Sequence, residues 1–331
     1  MERRTFLALL PGSLLAAPQA AEAQQARKVN RIGCLWAVPR ETAIPYIKEL
    51  DAGLNDLGHI EGVNVALEHR FADPPEDVPK FAEALVRSKV DALLATTNSV
   101  IAAAKRATTT IPIVMLYAAD PVGAGLIDSM ARPGGNVTGL SFDAAPEMYG
   151  KHVELLKSIA PAETRVGGLR NLTYYQQSPG HGPYVSAVSE SARRLGLGLR
   201  FFDIRSSGDI EDAFRQMART GIRAIFVLPD PVTFTHSRQI ASLAVKSRIS
   251  SVYGYRDAVE AGGLLSYGPD IREAPRRAAI YLDRIFKGAK PGDLPVEQPT
   301  RFELVINLRT ARALGLTIPP SVLAQADPVI E

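Results

Sequence analysis

The chain of 331 residues is 46% hydrophobic and 22% charged, enough to bury two ordinary cores, or one large one, without help from a metal or a disulfide. Its formal net charge of +3 comes from 38 basic and 35 acidic residues spread along the sequence, with no like-charge run beyond pairs such as Arg193-Arg194 and Arg276-Arg277, which speaks against nucleic acid as a partner. A single cysteine excludes an intrachain disulfide, and Cys34 lies in the apolar run Ile32 to Trp36, where it reads as a core residue.

The first segment, MERRTFLALLPGSLLAAPQAAEAQQ, carries Arg3 and Arg4, an apolar stretch from Phe6 to Ala17 and the small-x-small run Ala21-Glu22-Ala23. This is the pattern of a signal peptide over residues 1–23, cleaved near Ala23. Arg3-Arg4 before Thr5-Phe6-Leu7 also resembles a twin-arginine signal. No later stretch approaches the ~20 uninterrupted apolar residues that span a bilayer. With no Cys at the cleavage point to take a lipid, retention falls to an outer compartment, which points to the periplasm.

From Val29 onward short β-rich runs alternate with helices. Ile32 to Trp36 is a strand; Ile44, Ile47, Leu50, Leu54 and Leu57 recur at helical spacing and end at Gly58; Val63 to Phe71 alternates as a strand. A helix near Pro79 to Arg87, a strand over Val90 to Ala95, a helix over Asn98 to Ala107 and a strand over Ile111 to Leu116 follow. The next segment, DPVGAGLIDSMARPGGNVTG over 120–139, places Gly and Pro as if to open and close one short helix before a strand over Val137 to Leu140. A second series has strands at Val166 to Arg170, Leu199 to Ile204, Ile222 to Leu228, Val252 to Tyr255 and Leu264 to Tyr267, with helices near 184–195, 209–219 and 234–247. An amphipathic helix from about Asp270 to Lys287 and a strand over Phe302 to Asn307 close the chain.

Such alternation predicts an α/β fold with parallel sheets covered on both faces. The two series echo each other, so we expect two Rossmann-like lobes joined by a multi-strand hinge. Lobe one takes 27–143 plus about 268–290, and lobe two takes 146–265 plus about 296–331, with the boundary near residues 140–146.

Catalytic and cofactor patterns are absent. Gly123-Ala124-Gly125 is a G-x-G whose sixth position is Asp128, and no Walker Gly-Lys-Ser/Thr follows it. The five histidines have no metal-ligand spacing, and no G-x-S-x-G occurs. The sequence therefore predicts no enzyme, no cofactor and no metal.

It supplies instead polar groups at the C-terminal ends of predicted strands, where ligands of open parallel sheets bind beside helix N-termini. In lobe one these are Trp36 to Pro39 after the first strand, Thr96-Thr97-Asn98-Ser99 after the third, and Tyr117 and Asp120 after the fourth. In lobe two they are Asn171 with Tyr174 and Tyr175, then Asp230, then Tyr253, Arg256 and Glu260. Thr96 to Ser99 also reads as plain N-capping, and Asp120 and Asp230 as Asp-Pro turns. One helix terminus contributes about 0.3–1 kcal/mol, whereas micromolar affinity needs about 8 kcal/mol. A cleft that closes between two lobes supplies the difference.

The stretches DLGHIEGVNVALEHRFAD, ATTTIPIVML, DPVGAGLIDSMARPGGNVTG, EAGGLLSYGPD and KGAKPGDLPVEQPTRFELVINLRTARALGLTIPPSVLAQADPVIE together resemble the ABC-transporter substrate-binding proteins related to the TrpX-like, tryptophan- or tyrosine-binding group. The resemblance runs to Glu331. It implies a type I periplasmic-binding-protein fold with three crossovers, a monomer, and delivery of a small-molecule solute to ABC permease subunits in the inner membrane. It also suits an amino acid or related small carboxylate, with Thr96 to Ser99 for a carboxylate, Asp120 for an amino group and tyrosines for a ring. A sensor that presents its bound solute to a membrane receptor or kinase would use the same lobes. Asn171-Leu172-Thr173 stands where members of this family commonly carry Asn-Pro.

Overall fold

A computed structural model describes residues 29–73, 75–142, 147–177 and 181–331. The predicted signal peptide, part of the predicted lobe boundary and part of the loop before His181 lie outside the described residues.

Strand β1 (Asn30–Trp36) is buried from Ile32 onward, as its unbroken apolar run requires. It pairs in parallel with β2 (Val65–Phe71) and with β3 (Ala92–Ala95). Outside β3 come β4 (Ile113–Ala118) and β5 (Val137–Ser141), giving a five-stranded sheet in the order β2-β1-β3-β4-β5. Helices α1 (Arg40–Asp56), α2 (Val78–Arg87) and α3 (Asn98–Ala107) connect these strands, and α3 has the predicted bounds.

The second sheet follows α4 (Glu147–Ile159), a helix absent from the elements expected from the sequence. Its strands are β6 (Arg165–Asn171), β7 (Gly198–Ile204), β8 (Ala224–Val227), β9 (Ser250–Tyr253), β10 (Leu265–Pro269), β11 (Phe302–Asn307) and β12 (Val329–Ile330), in the order β12-β11-β10-β9-β8-β6-β7. Strand β11 runs antiparallel to β10, so this sheet is mixed where parallel pairing was expected throughout. The helices include α5 (Leu172–Gln177), α6 (Gly182–Arg194), α7 (Ile210–Arg219), α8 (Pro231–Thr235), α9 (Ser237–Lys246) and α10 (Arg256–Glu260).

Helix α11 (Ala274–Phe286) leaves the second sheet after β10 and packs on α1, with Gly53 facing the Arg276 backbone. The chain then returns through 295–301, where Glu297 bridges to Leu140 of β5, and enters β11.

Residues 120–136 depart from expectation: turns replace the predicted short helix. Gly125 at φ 66°, Gly134 at 67° and Gly135 at 53° take the left-handed conformation, which ends one tight turn after another instead of propagating a helix.

Candidate functional site

The C-terminal ends of the two sheets face a common cavity of about 80 Å³. From the first sheet it is lined by Trp36 to Val38, Thr96, Thr97, Tyr117 and Ala119; from the second, by Tyr174, Pro229 to Pro231, Phe234 and Tyr255. Tyr46 of α1, Tyr149 of α4, Phe142, His181 and Ile271 complete the wall. Rings from the two sides touch: Tyr46 lies 5.9 Å from Phe234, and Phe142 lies 5.6 Å from Tyr255, centroid to centroid. The volume is well below the roughly 300–1,000 Å³ of clefts that engulf a small organic ligand, so the lobes stand closed on their own side chains.

The wall is fixed by hydrogen bonds beneath it. Trp36 Nε1 donates to Nδ1 of His69 at 3.1 Å, and burial with nearby Arg40 lowers the His69 pKa to about 4, which keeps that nitrogen an acceptor. Thr96 Oγ1 donates to the Leu35 carbonyl and accepts from the Ala37 amide, tying the ends of β1 and β3 together. Tyr117 donates to the Ile271 carbonyl at 3.0 Å, and Tyr175 to that of Pro229 at 3.0 Å. Burial pushes the phenols of Tyr117, Tyr175 and Tyr255 well above their ordinary range, so they remain neutral donors.

Asp230 is the carboxylate of the cavity. Its Oδ1 accepts from the amides of Val232 (2.8 Å) and Thr233 (2.9 Å), and its Oδ2 from the Asn171 amide (3.2 Å). Burial lifts its pKa to about 6, although these N–H groups pull the other way.

Of the positions predicted from sequence, Trp36, Thr96, Thr97, Tyr117, Tyr174 and Asp230 line the cavity. The others are engaged elsewhere. Asn98, fully buried, donates to the Ala119 carbonyl (2.6 Å) and accepts from the Ala119 amide (2.8 Å). Ser99 Oγ meets Thr97 Oγ1 at 3.2 Å. Asp120, at φ 38°, turns its carboxylate onto the Gly123 amide of its own turn. Asn171 accepts from the Tyr174 amide at the start of α5. Tyr253 is packed in the core of the second lobe with Leu169 and Ile240. Arg256 pairs with Glu260 (2.8 Å) and Glu303 (3.4 Å) at the hinge. Sequence reasoning missed Tyr46, Phe142, Tyr149, His181, Phe234 and Tyr255, whose aromatic character was the available signal.

Asn98→Ala tests the structural assignment. Losing both bonds and leaving the Ala119 backbone unpaired is expected to cost about 2 kcal/mol, lowering the melting temperature by roughly 4–8 °C. An unchanged melting curve would refute it.

A larger cavity of about 680 Å³ lies at the crossovers between the lobes, lined by Arg256, Arg277, Glu297, Arg301, Glu303 and Asp327 among others. Several of its charges are paired across its own walls, Arg277 with Glu297, Arg301 with Asp327 and Arg256 with Glu303, and it nears the sheet ends through Leu116, Tyr117, Leu140 to Phe142 and Ile271. We therefore place the candidate site in the smaller, aromatic cavity. Among the described residues no group of His, Cys, Asp and Glu is arranged to hold a metal ion, and no helix is long and apolar enough to cross a membrane.

Residues 39–330 match the family described as ABC transporter substrate binding protein. The chain is 25% identical over 293 residues to a tyrosine-binding protein of Clostridioides difficile (strain R20291), covering 88% of this chain and 82% of that one. Among solved structures, it superposes with a TM-score of 0.83 on a conserved domain protein from Vibrio cholerae O1 biovar eltor, at 29% identity over 92% of this chain and all 100% of that one. The ABC domain from Streptococcus pneumonia in complex with L-Trp gives a TM-score of 0.81 at 28% identity, with the same coverage of 92% and 100%.

Proposed function

The chain belongs to the ABC transporter substrate binding protein family, with the type I periplasmic-binding-protein fold, and is a solute-binding protein rather than an enzyme; from that premise we propose that it captures an aromatic amino acid between its lobes and hands it to an inner-membrane permease. The observation that carries the reading is the cavity wall, in which aromatic rings from both lobes enclose one buried carboxylate, Asp230, and one helix start, at Thr97.

In this reading the rings of Trp36, Tyr46, Phe234 and Tyr255 take the aromatic side chain. The ammonium group goes to Asp230, in place of the Asp120 expected from sequence, since Asp230 lines the cavity and a carboxylate keeps acceptor capacity beyond three backbone amides. The carboxylate goes to the N-terminus of α3, whose start at Thr97 lines the cavity and presents the positive end of the helix dipole. Because the cavity is nearly filled by its own rings, the lobes part to admit the solute and reclose around it. The sequence MERRTFLALLPGSLLAAPQAAEA supplies export to the periplasm. Mass spectrometry of the exported protein is expected to find Gln24 or a close neighbour at the N-terminus.

A thermal-shift screen against the amino acids tests the assignment. A ligand at 100 times its Kd adds about 2.7 kcal/mol, so tyrosine or tryptophan is expected to raise the melting temperature by roughly 5–11 °C. No shift with any aromatic amino acid would sink it.

Titration gives a second test, with opposite signs for ligand and fold. Ammonium binding needs Asp230 ionised, so affinity is expected to be flat above about pH 6, the pKa of Asp230, and to fall up to tenfold per unit below it. The free protein moves the other way. The folded pKa lies above the ordinary 3.8, so between about pH 6 and 4 the native state holds a proton that the unfolded chain has lost. This group then adds stability as the pH falls through that window, about 2–3 kcal/mol in all. Calorimetric affinity and urea midpoints across pH 4–8 read both.

A further inference from the structure

The cavity wall carries one carboxylate and one imidazole, that of His181. Its lining contains Asp230 and no Lys or Arg. Asp230 is 2% exposed, so the solvent that would screen its charge is excluded. Around it stand aromatic faces, which attract cations, with neutral hydroxyls and aliphatic groups such as Val38 and Ile271.

From this we propose that the cavity selects its solute by positive charge, and that it takes arylalkylamines lacking a carboxylate as well as the amino acids; the inference rests on the reading of this cavity as the solute site. An ammonium group entering between Tyr46, Phe234 and Tyr255 meets ring faces and a carboxylate that gains a counter-charge. A carboxylate without an ammonium brings a second negative charge beside Asp230 with no Lys or Arg in the lining to meet it, a costly arrangement in a dry site. The α-carboxylate of an amino acid is met by neutral donors alone, the Thr97 hydroxyl and the α3 amides. Deleting it therefore costs less than deleting the ammonium.

Isothermal titration of the protein at pH 7.5 with tyrosine, tyramine and 3-(4-hydroxyphenyl)propionate separates the terms, because the three share one ring and differ in charge. Tyramine is expected to bind within about thirtyfold of tyrosine, and the propionate at least about a hundredfold more weakly than either. Tryptophan, tryptamine and indole-3-propionate form a parallel set. Asp230→Asn, checked for folding by circular dichroism, should erase the preference of tyramine over the propionate. The ligand series decides the question even if that variant fails to fold. Binding of tyrosine but not tyramine, or of the propionate as tightly as tyrosine, overturns charge selection and leaves the amino-acid reading standing. Binding of tyramine but not tyrosine overturns the amino-acid reading and supports selection by charge. Failure of every ligand in both sets overturns both.

Discussion

Gly139→Ala is expected to destabilise the protein by about 3–5 kcal/mol, a large loss for the addition of one methyl group. Gly139 sits in β5 at φ 127°, a conformation that L side chains rarely adopt. A Cβ at this position would lie 2.7 Å from the Met115 amide nitrogen and closer still to the Met115 carbonyl oxygen, both main-chain atoms of the paired strand β4. Neither can rotate away as a side chain would. The ladder is already irregular here, with the β4–β5 register shifting between Met115 and Ala118. The Gly139 carbonyl also accepts from the amide of Glu297, so the strain would spread into the segment that returns to the second lobe. At 2–4 °C per kcal/mol, the melting temperature should drop by roughly 6–20 °C. Gly58→Ala is the control: its φ is 81° but nothing lies within 4 Å of the added carbon, so it reports backbone strain alone, about 1 kcal/mol. Equal losses from the two variants would show that contact with β4 is unimportant.

Two Asp-Pro pairs show how much of the site could be read in advance. Asp120-Pro121 and Asp230-Pro231 both follow strands at the cleft, and the sequence treats them alike. In the structure Asp120 takes a positive φ that folds its carboxylate onto Gly123, whereas Asp230 is extended at φ −156°, caps α8 and is buried against the cavity. A backbone angle, set by tertiary packing, separates a turn residue from a site residue. The same holds for Asn98, whose amide matches the Ala119 backbone only once β4 is placed beside β3.

Fold was more legible than site for a related reason. Apolar periodicity is local, and it located β1 and α3 nearly residue for residue. Helix α4 carries the same kind of signal in Met148, His152, Leu155, Leu156 and Ile159, all buried, yet it follows Ser141 to Pro146, whose polar character reads as linker. The aromatic wall depends on which faces of the two lobes meet. Tyr46 looks like one more apolar position on an amphipathic helix until α1 is set against α8 and α10.

Tyr46→Phe is expected to weaken solute binding by about thirtyfold while leaving the cavity wall in place, because the lost hydroxyl closes the lobes. Tyr46 Oη donates to Asp257 Oδ1 at 3.1 Å, from α1 in the first lobe to α10 in the second. Arg272, in the chain between β10 and α11, donates to the same oxygen at 3.0 Å and reaches Glu260 at 2.5 Å, so the acceptor is held where the phenol meets it. Asp257 Oδ2 is buried and has no hydrogen-bond partner among the described residues, which makes the bonds to Oδ1 its main compensation. A hydrogen bond to a charged acceptor contributes about 1.5–3 kcal/mol, and 2 kcal/mol corresponds to roughly thirtyfold in affinity. The loss should appear in the dissociation rate, since the bond forms on closure and not on encounter. Arg272→Ala should act in the same direction by freeing the Asp257 carboxylate from its orienting partner. A thirtyfold slower association with unchanged dissociation would instead place Tyr46 in the encounter with solute, and unchanged affinity in both variants would remove the bridge from the closing step.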